Sequence, residues 1–139
     1  MAHDMTHLHF PHIQGKTIEI IEAIIHTKEV VSLGEEWSVI RLVVEELVIN
    51  IVNYAYPDGN NDYLDVETDL TEDQITIRFR DSGVPFNPLE QESPDMSQPL
   101  RQRQIGGLGI FLVSKKMDHM TYERTDGENV LTVRKYIKD

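Results

Sequence analysis

Cysteine is absent from all 139 residues, so disulfides, thiolate metal centres and cysteine nucleophiles are excluded. That absence agrees with a reducing compartment. Positive charge is scarce as well: 13 Lys and Arg stand against 24 Asp and Glu, for a formal net charge of -11. Bulk binding to nucleic acid or to an anionic membrane needs clustered cations that displace counterions, so neither is expected as a direct partner. A polyanion could be handled only locally, by backbone amides, a metal ion or a few placed cations. Long apolar runs are also missing. No stretch approaches the roughly 20 apolar residues of a membrane span. The N-terminal "MAHDMTHLHF" lacks the basic and apolar regions of a secretory signal, which makes the cytoplasm the expected location. With neither repeats nor low-complexity tracts, the length suits one domain, residues 1–139, with a proper core.

What is present alternates between strand and helix periods. "THLHF" at 6–10 predicts a short strand with Leu8 and Phe10 on one face. His7 and His9 share the other face with no carboxylate at useful spacing within the strand, and read as a solvated surface rather than a metal site. From Lys16 to about Ser32, Ile20, Ile21, Ile24, Ile25 and Val31 fall at helical spacing, and Gly34 breaks the pattern. A second helix is predicted from about Glu35 to Tyr54, ended by the turn residues "YPDGNND". "YLDVETDL" and "QITIRFRD" predict an antiparallel pair with Ile75, Ile77 and Phe79 facing inward. Residues 87–104, with three Pro and many polar groups, read as a long functional loop. A helix running from a glycine cluster to about Met117 follows. Two strands, around Thr121–Arg124 and Val130–Ile137 and joined through "TDGEN", complete the chain. This grouping predicts an α+β fold, a two-layer sandwich with helices on one face of a mainly antiparallel sheet.

Three constellations carry candidate chemistry. In "VIRLVVEELVINIVNYA", apolar almost all round, Glu46, Asn50 and Asn53 share one stripe about 60° wide. Left unpaired in a core, such groups would each cost about 1–3 kcal/mol, so the stripe either faces water, caps a loop or holds a ligand. Their hard oxygens suit Mg²⁺, which takes one or two protein oxygens and completes its shell with water and phosphate. In "FRDSGVPFNP", Asp81 ends a strand where Gly83 allows close backbone approach; the segment is either a plain turn or a carboxylate poised for an exocyclic amine such as that of adenine. In "QIGGLGIFLVSKKMD", glycines ahead of a helix leave N–H groups and the helix dipole to an anion, although neither a P-loop nor a dinucleotide fingerprint is formed.

Together and in this order, over about 65 residues, the three resemble the motifs of the Bergerat-fold (GHKL) ATPases. "VVEELVINIVNYAYPDG" is similar to that class's N-box, "DSGVPFNP" to its G1 box and "GGLGIFLVSKKMD" to its G2 box. The Pro-Phe-x-Pro form of G1 resembles most the anti-sigma-factor serine/threonine kinases, and the likeness covers about Lys16 to Lys135. The resemblance implies the Bergerat ATP-binding fold, with ATP and Mg²⁺ as cofactors. It implies Glu46 as catalytic base, Asn50 as Mg²⁺ ligand and Asn53 near the metal and phosphates. It further implies Asp81 with Gly83 at adenine, Gly107 and Gly109 at the phosphates, and residues 87–105 as the ATP lid. Arg101 or Arg103 would reach the γ-phosphate, and Asn129 by register or Thr132 by residue type would serve adenine. The implied partners are an anti-anti-sigma (STAS) protein, phosphorylated on Ser or Thr, and a sigma factor held in sequestration; members of the family commonly form homodimers, and the sequence leaves the oligomer open. A nucleotide-dependent binding module without transfer is the competing reading. The catalytic part of a histidine kinase is a third, disfavoured because the chain has no room for a phosphoacceptor helix pair.

Overall fold

The computed structural model describes residues 4–88 and 105–137. In chain order the elements are β1 (Asp4–Phe10), α1 (Thr17–Ile25), α2 (Lys28–Val31), a 3-10 turn (Gly34–Glu36), α3 (Trp37–Tyr54), β2 (Leu64–Leu70), β3 (Gln74–Asp81), α4 (Ile105–Lys116), β4 (His119–Thr125) and β5 (Glu128–Tyr136). The strands form a five-stranded antiparallel sheet in the order β1-β2-β3-β5-β4. Period-two alternation sends one set of side chains toward the helices. Leu64, Val66, Ile75, Ile77, Phe79, Leu131 and Val133 are buried there against Ile20, Ile24, Leu47, Ile51, Ile110 and Val113. The other face carries ion pairs between strands, Arg78 with Glu67 and Arg80 with Glu128. The result is the expected α+β sandwich, and each fully buried aliphatic side chain stabilises it by about 1.5–3 kcal/mol.

α3 is the spine of the helical layer. Its buried residues Ile40, Val43, Val44, Leu47, Val48, Ile51 and Val52 follow the i, i+3, i+4 rule. Glu46 and Asn50 are therefore left on its half-buried flank and Asn53 on its exposed side. The α-helix starts at Trp37, two residues later than the periodicity predicts, because the 3-10 turn takes up Gly34–Glu36. Trp37 Nε1 donates to the Ile25 carbonyl at 3.1 Å, tying the start of α3 to the end of α1.

The single helix predicted from Lys16 to Ser32 is two helices. Thr27 is extended (φ -63°, ψ 151°); its Oγ1 donates to the Ile24 carbonyl at 2.8 Å and accepts from the Val30 N–H at 3.5 Å, ending one helix and capping the next. The break rotates the second piece. Val30 is buried and Val31, expected in the apolar stripe, is 54% exposed. At the other end of the sheet, Asp126 (φ 52°) and Gly127 (φ 78°) form a two-residue turn between β4 and β5. Positive φ at both central residues marks the type I′ hairpin that suits Asp-Gly.

Candidate functional site

α3, the end of β3 and the β4–β5 hairpin converge on one cleft. Leu47, Asn50, Ile51 and Tyr54 form its α3 wall, with Asp81, Tyr122, Asn129 and Leu131 from the sheet and Val84, Phe86 and Ile110 closing it. Apolar walls with a few convergent polar groups are the usual make-up of a small-molecule site.

Asp81 is the most buried of the polar lining residues, 4% exposed. Its Oδ1 accepts from the Gly83 N–H and from Asn129 Nδ2, each at 2.9 Å. Burial pushes its pKa up, against the opposing pull of those two hydrogen bonds and of the Arg124 charge. A carboxylate so held is a strong acceptor for a ligand N–H. Gly83 matters through close approach: a Cβ there would collide with the backbone carbonyl of Ala55, which accepts the Val84 N–H at 2.8 Å. The turn after β3 is thereby docked on the C-terminal end of α3, satisfying a carbonyl that the helix leaves orphaned. Tyr56 braces the same turn, its hydroxyl accepting from the Ser82 N–H at 2.8 Å and donating to the Tyr63 carbonyl at 2.6 Å.

Glu46, two helical turns before the end of α3's cleft wall, faces α4. A Cβ on Gly109 would fall on Glu46 Oε2, so the absent side chain is what admits the carboxylate. Burial, and secondarily the charge of Glu45, raises the Glu46 pKa above its ordinary 4.5. Asn50 lines the cleft one turn further on, between Glu46 and Asp81 along α3. Asn53 is exposed and is not among the cleft-lining residues. Gly107 and Gly109 lie inside α4, which begins at Ile105, and not in a loop ahead of it as the sequence pattern implied. Glycine costs a helix interior about 0.8–1 kcal/mol. At Gly109 that cost accompanies the tight crossing of α4 over Glu46. Arg101, Arg103 and most of the expected lid, residues 87–105, fall outside the described residues.

The structure separates Asn129 from Thr132. Asn129 pairs with Asp81 across the β3–β5 ladder and faces the cleft, whereas Thr132 is on the opposite face, where Arg78 Nε donates to it at 3.4 Å. Two residues near the site carried no sequence motif. Tyr122 donates to Asn129 Oδ1 at 2.5 Å, and Arg124 Nη1 donates to the Gly83 carbonyl at 2.7 Å. The alternation in "TYERT" was the available signal, since it puts both on one face of a strand. At the other edge, His9 Nδ1 meets Asp65 Oδ1 at 2.5 Å, so the carboxylate missing from the histidine face of β1 comes from β2. Among the described residues no group of three or more His, Asp or Glu is placed to hold a metal ion.

Comparison with known proteins agrees with this architecture. Residues 15–135 match the family described as the histidine kinase-like ATPase domain. The serine/threonine-protein kinase BtrW of Bordetella bronchiseptica is 28% identical over 110 residues, which are 76% of this chain and 78% of that protein. The serine-protein kinase RsbW of Staphylococcus aureus is 31% identical over 103 residues, or 70% of this chain and 64% of that protein. The chain thus spans a little under two thirds of RsbW. Among the described residues no helix is long and apolar enough to cross a membrane. The family match begins just before α1 and runs to the end of β5, enclosing every element that lines the cleft, and the chain belongs to the histidine kinase-like ATPase domain family.

Proposed function

We propose that the protein is an ATP-dependent serine/threonine kinase and anti-sigma factor, which phosphorylates an anti-anti-sigma (STAS) partner and sequesters a sigma factor. The observation that carries the reading is the order of groups along one cleft. A buried carboxylate, Asp81, stands at the C-terminal end of α3, Asn50 follows along the helix, and Glu46 comes one turn beyond. That order matches a nucleotide lying along α3, with its base at Asp81 and its phosphates toward Glu46. The names of BtrW and RsbW, both protein kinases, point the same way.

In this reading adenine packs between Ile51, Val84 and Leu131, its amino group donating to Asp81 while Asn129 and Gly83 hold that carboxylate. Asn50, with Asn53 nearby, offers hard oxygens that fit Mg²⁺, whose charge would neutralise the phosphates during transfer. Gly107, Gly109 and Arg103 of the lid serve the phosphate end. Glu46 orients the attacking Ser or Thr hydroxyl and takes its proton as the oxygen bonds to the γ-phosphorus and ADP departs. The raised pKa strengthens Glu46 as a base over an exposed glutamate. The reading also implies cytoplasmic residence, and it is compatible with a homodimer.

Incubation with γ-labelled ATP and a co-encoded STAS protein should label the STAS protein, and Glu46→Ala should retain nucleotide binding but lose transfer. A wild type that binds ATP yet labels no candidate would instead be a nucleotide-dependent binding module. Absence of Mg-ATP binding would remove both readings.

A further inference from the structure

The register of β3, β5 and β4 sets Asp81, Asn129 and Arg124 in one cross-strand row on the helix-facing side of the sheet. The hydrogen bonds along the row agree in direction. Asn129 Nδ2 donates to Asp81 Oδ1 and to the Val84 carbonyl, both at 2.9 Å. Asn129 Oδ1 accepts from the Tyr122 hydroxyl at 2.5 Å and from Arg124 Nη1 at 3.2 Å. The same Nη1 donates to the Gly83 carbonyl at 2.7 Å. A flipped amide would set its oxygen against a carboxylate and a carbonyl, and its NH₂ against a guanidinium, so the amide has one orientation. Arg124 does not line the cleft that holds Asp81; it lies behind the turn, in a second, open cleft with Tyr56, Ser82 and Gly83.

We propose that Arg124 and Tyr122 are positioning residues that set base selectivity, locking the Asn129 amide and the Gly83 turn so that Asp81 admits a 6-amino purine and rejects a 6-oxo purine. The inference rests on the assignment of Asp81 to the base end of the nucleotide. With Oδ1 engaged by two internal donors, Oδ2 is the oxygen that meets the ligand. A 6-amino group donates to it, whereas a 6-oxo group places a second acceptor against a desolvated carboxylate. Loss of Arg124 removes the charged donor from Asn129 Oδ1 and the partner of the Gly83 carbonyl, and the carboxylate gains rotational freedom. Tyr122→Phe removes the other donor while retaining the ring that forms part of the cleft wall.

The test is calorimetric: dissociation constants for ATP and for inosine triphosphate, its 6-oxo counterpart, with wild type, Arg124→Met, Arg124→Lys, Tyr122→Phe and Asp81→Asn. The wild type should prefer ATP by roughly tenfold or more, the worth of one hydrogen bond to a charged group. Arg124→Met should cut that ratio to within about threefold of unity, chiefly by weakening ATP, with Tyr122→Phe and Arg124→Lys in between. Equal weakening of both nucleotides would mean that Arg124 only supports the fold, and would overturn the proposal. A wild type that discriminates, an Asp81→Asn variant that does not, and an Arg124→Met variant with the wild-type ratio would overturn the proposal while leaving the base-end assignment standing. No wild-type preference, with Asp81→Asn silent, would overturn both. Should Arg124→Met fail to fold, Tyr122→Phe and Arg124→Lys carry the same comparison.

Discussion

Alanine at Gly109 and at Gly83 should have opposite consequences, although both glycines are tightly packed. At Gly109 the added Cβ would meet Glu46 Oε2, with Cδ at 3.2 Å and the Glu46 Cβ at 3.7 Å. The obstructing atom is the tip of a flexible side chain, so Glu46 swings away and the helix stays. α4 then gains about 0.8–1 kcal/mol of helix propensity, and Glu46 leaves a site that desolvates it. Net stability should be unchanged or raised by about 1 kcal/mol, which is about 3 °C in Tm for a domain of this size. Phosphoryl transfer should nonetheless fall about 100-fold, because a displaced base no longer reaches the hydroxyl. At Gly83 the Cβ would meet the carbonyl oxygen, carbonyl carbon and Cβ of Ala55, none of which can move without unseating the end of α3. That overpacking should cost about 1–3 kcal/mol, and ATP affinity should fall with it. Urea denaturation, single-turnover transfer and calorimetry on both variants give the comparison. Should Gly109→Ala lose as much stability as Gly83→Ala, or gain stability while transferring phosphate at the wild-type rate, Glu46 is not the base held against α4.

Asp81→Asn should weaken ATP about 10- to 100-fold by calorimetry. It should leave Tm at neutral pH unchanged or higher: a raised pKa means that the ionised carboxylate costs stability above the folded pKa, and asparagine removes that cost. Because Glu46 must be ionised to act, transfer should decline as pH falls through a midpoint above 4.5, and Glu45→Gln should shift that midpoint downward; a midpoint indifferent to Glu45 would contradict the assignment. Asp62 caps the backbone N–H groups of Gln14 at 2.9 Å and Ile13 at 3.0 Å, the former being the main reason its pKa is lowered. Its contribution is present above the unfolded value of about 3.9 and is lost as pH falls through the lower folded value. Asp62→Ala should cost about 1–3 kcal/mol at pH 7, and the gap to wild type in thermal melts should narrow in acid.

Periodicity located the helical layer well where the apolar residues were dense, and less well where a polar side chain redirected the backbone. Ile20, Ile21, Ile24 and Ile25 are buried as their spacing requires. Thr27 then ends the helix through its own hydroxyl, a local competition between side chain and backbone that hydrophobic spacing does not register. The same blindness applies to strand order. Alternation identified the strands and their inward residues, but the insertion of β5 between β3 and β4 is a long-range choice with no local trace in the sequence.

At the site, residue type and spacing along α3 brought out Glu46 and Asn50, and the strand-end position brought out Asp81 and Gly83. The glycines of "GGLG" lie within α4 and not ahead of it, a difference the sequence does not register because the flexibility that glycine gives a loop and the clearance it gives a helix crossing look alike. Only the α3–α4 contact shows that Gly109 supplies clearance for Glu46. The choice between Asn129 and Thr132 depended on a different quantity, the pairing register. The β3–β5 ladder sets Asn129 opposite Asp81, and the Asp126–Gly127 turn separately fixes Thr125 opposite Glu128, which sets Arg124 opposite Asn129. A slip of one residue would turn Asn129 outward and Thr132 inward, since every side chain changes face. The choice of groups that brace Asn129 against the Asp81 carboxylate is therefore made at the hairpin turn, where Asp-Gly favours a two-residue loop. Lengthening that turn by one residue should abolish the preference for a 6-amino purine even with Asp81, Asn129 and Arg124 all present.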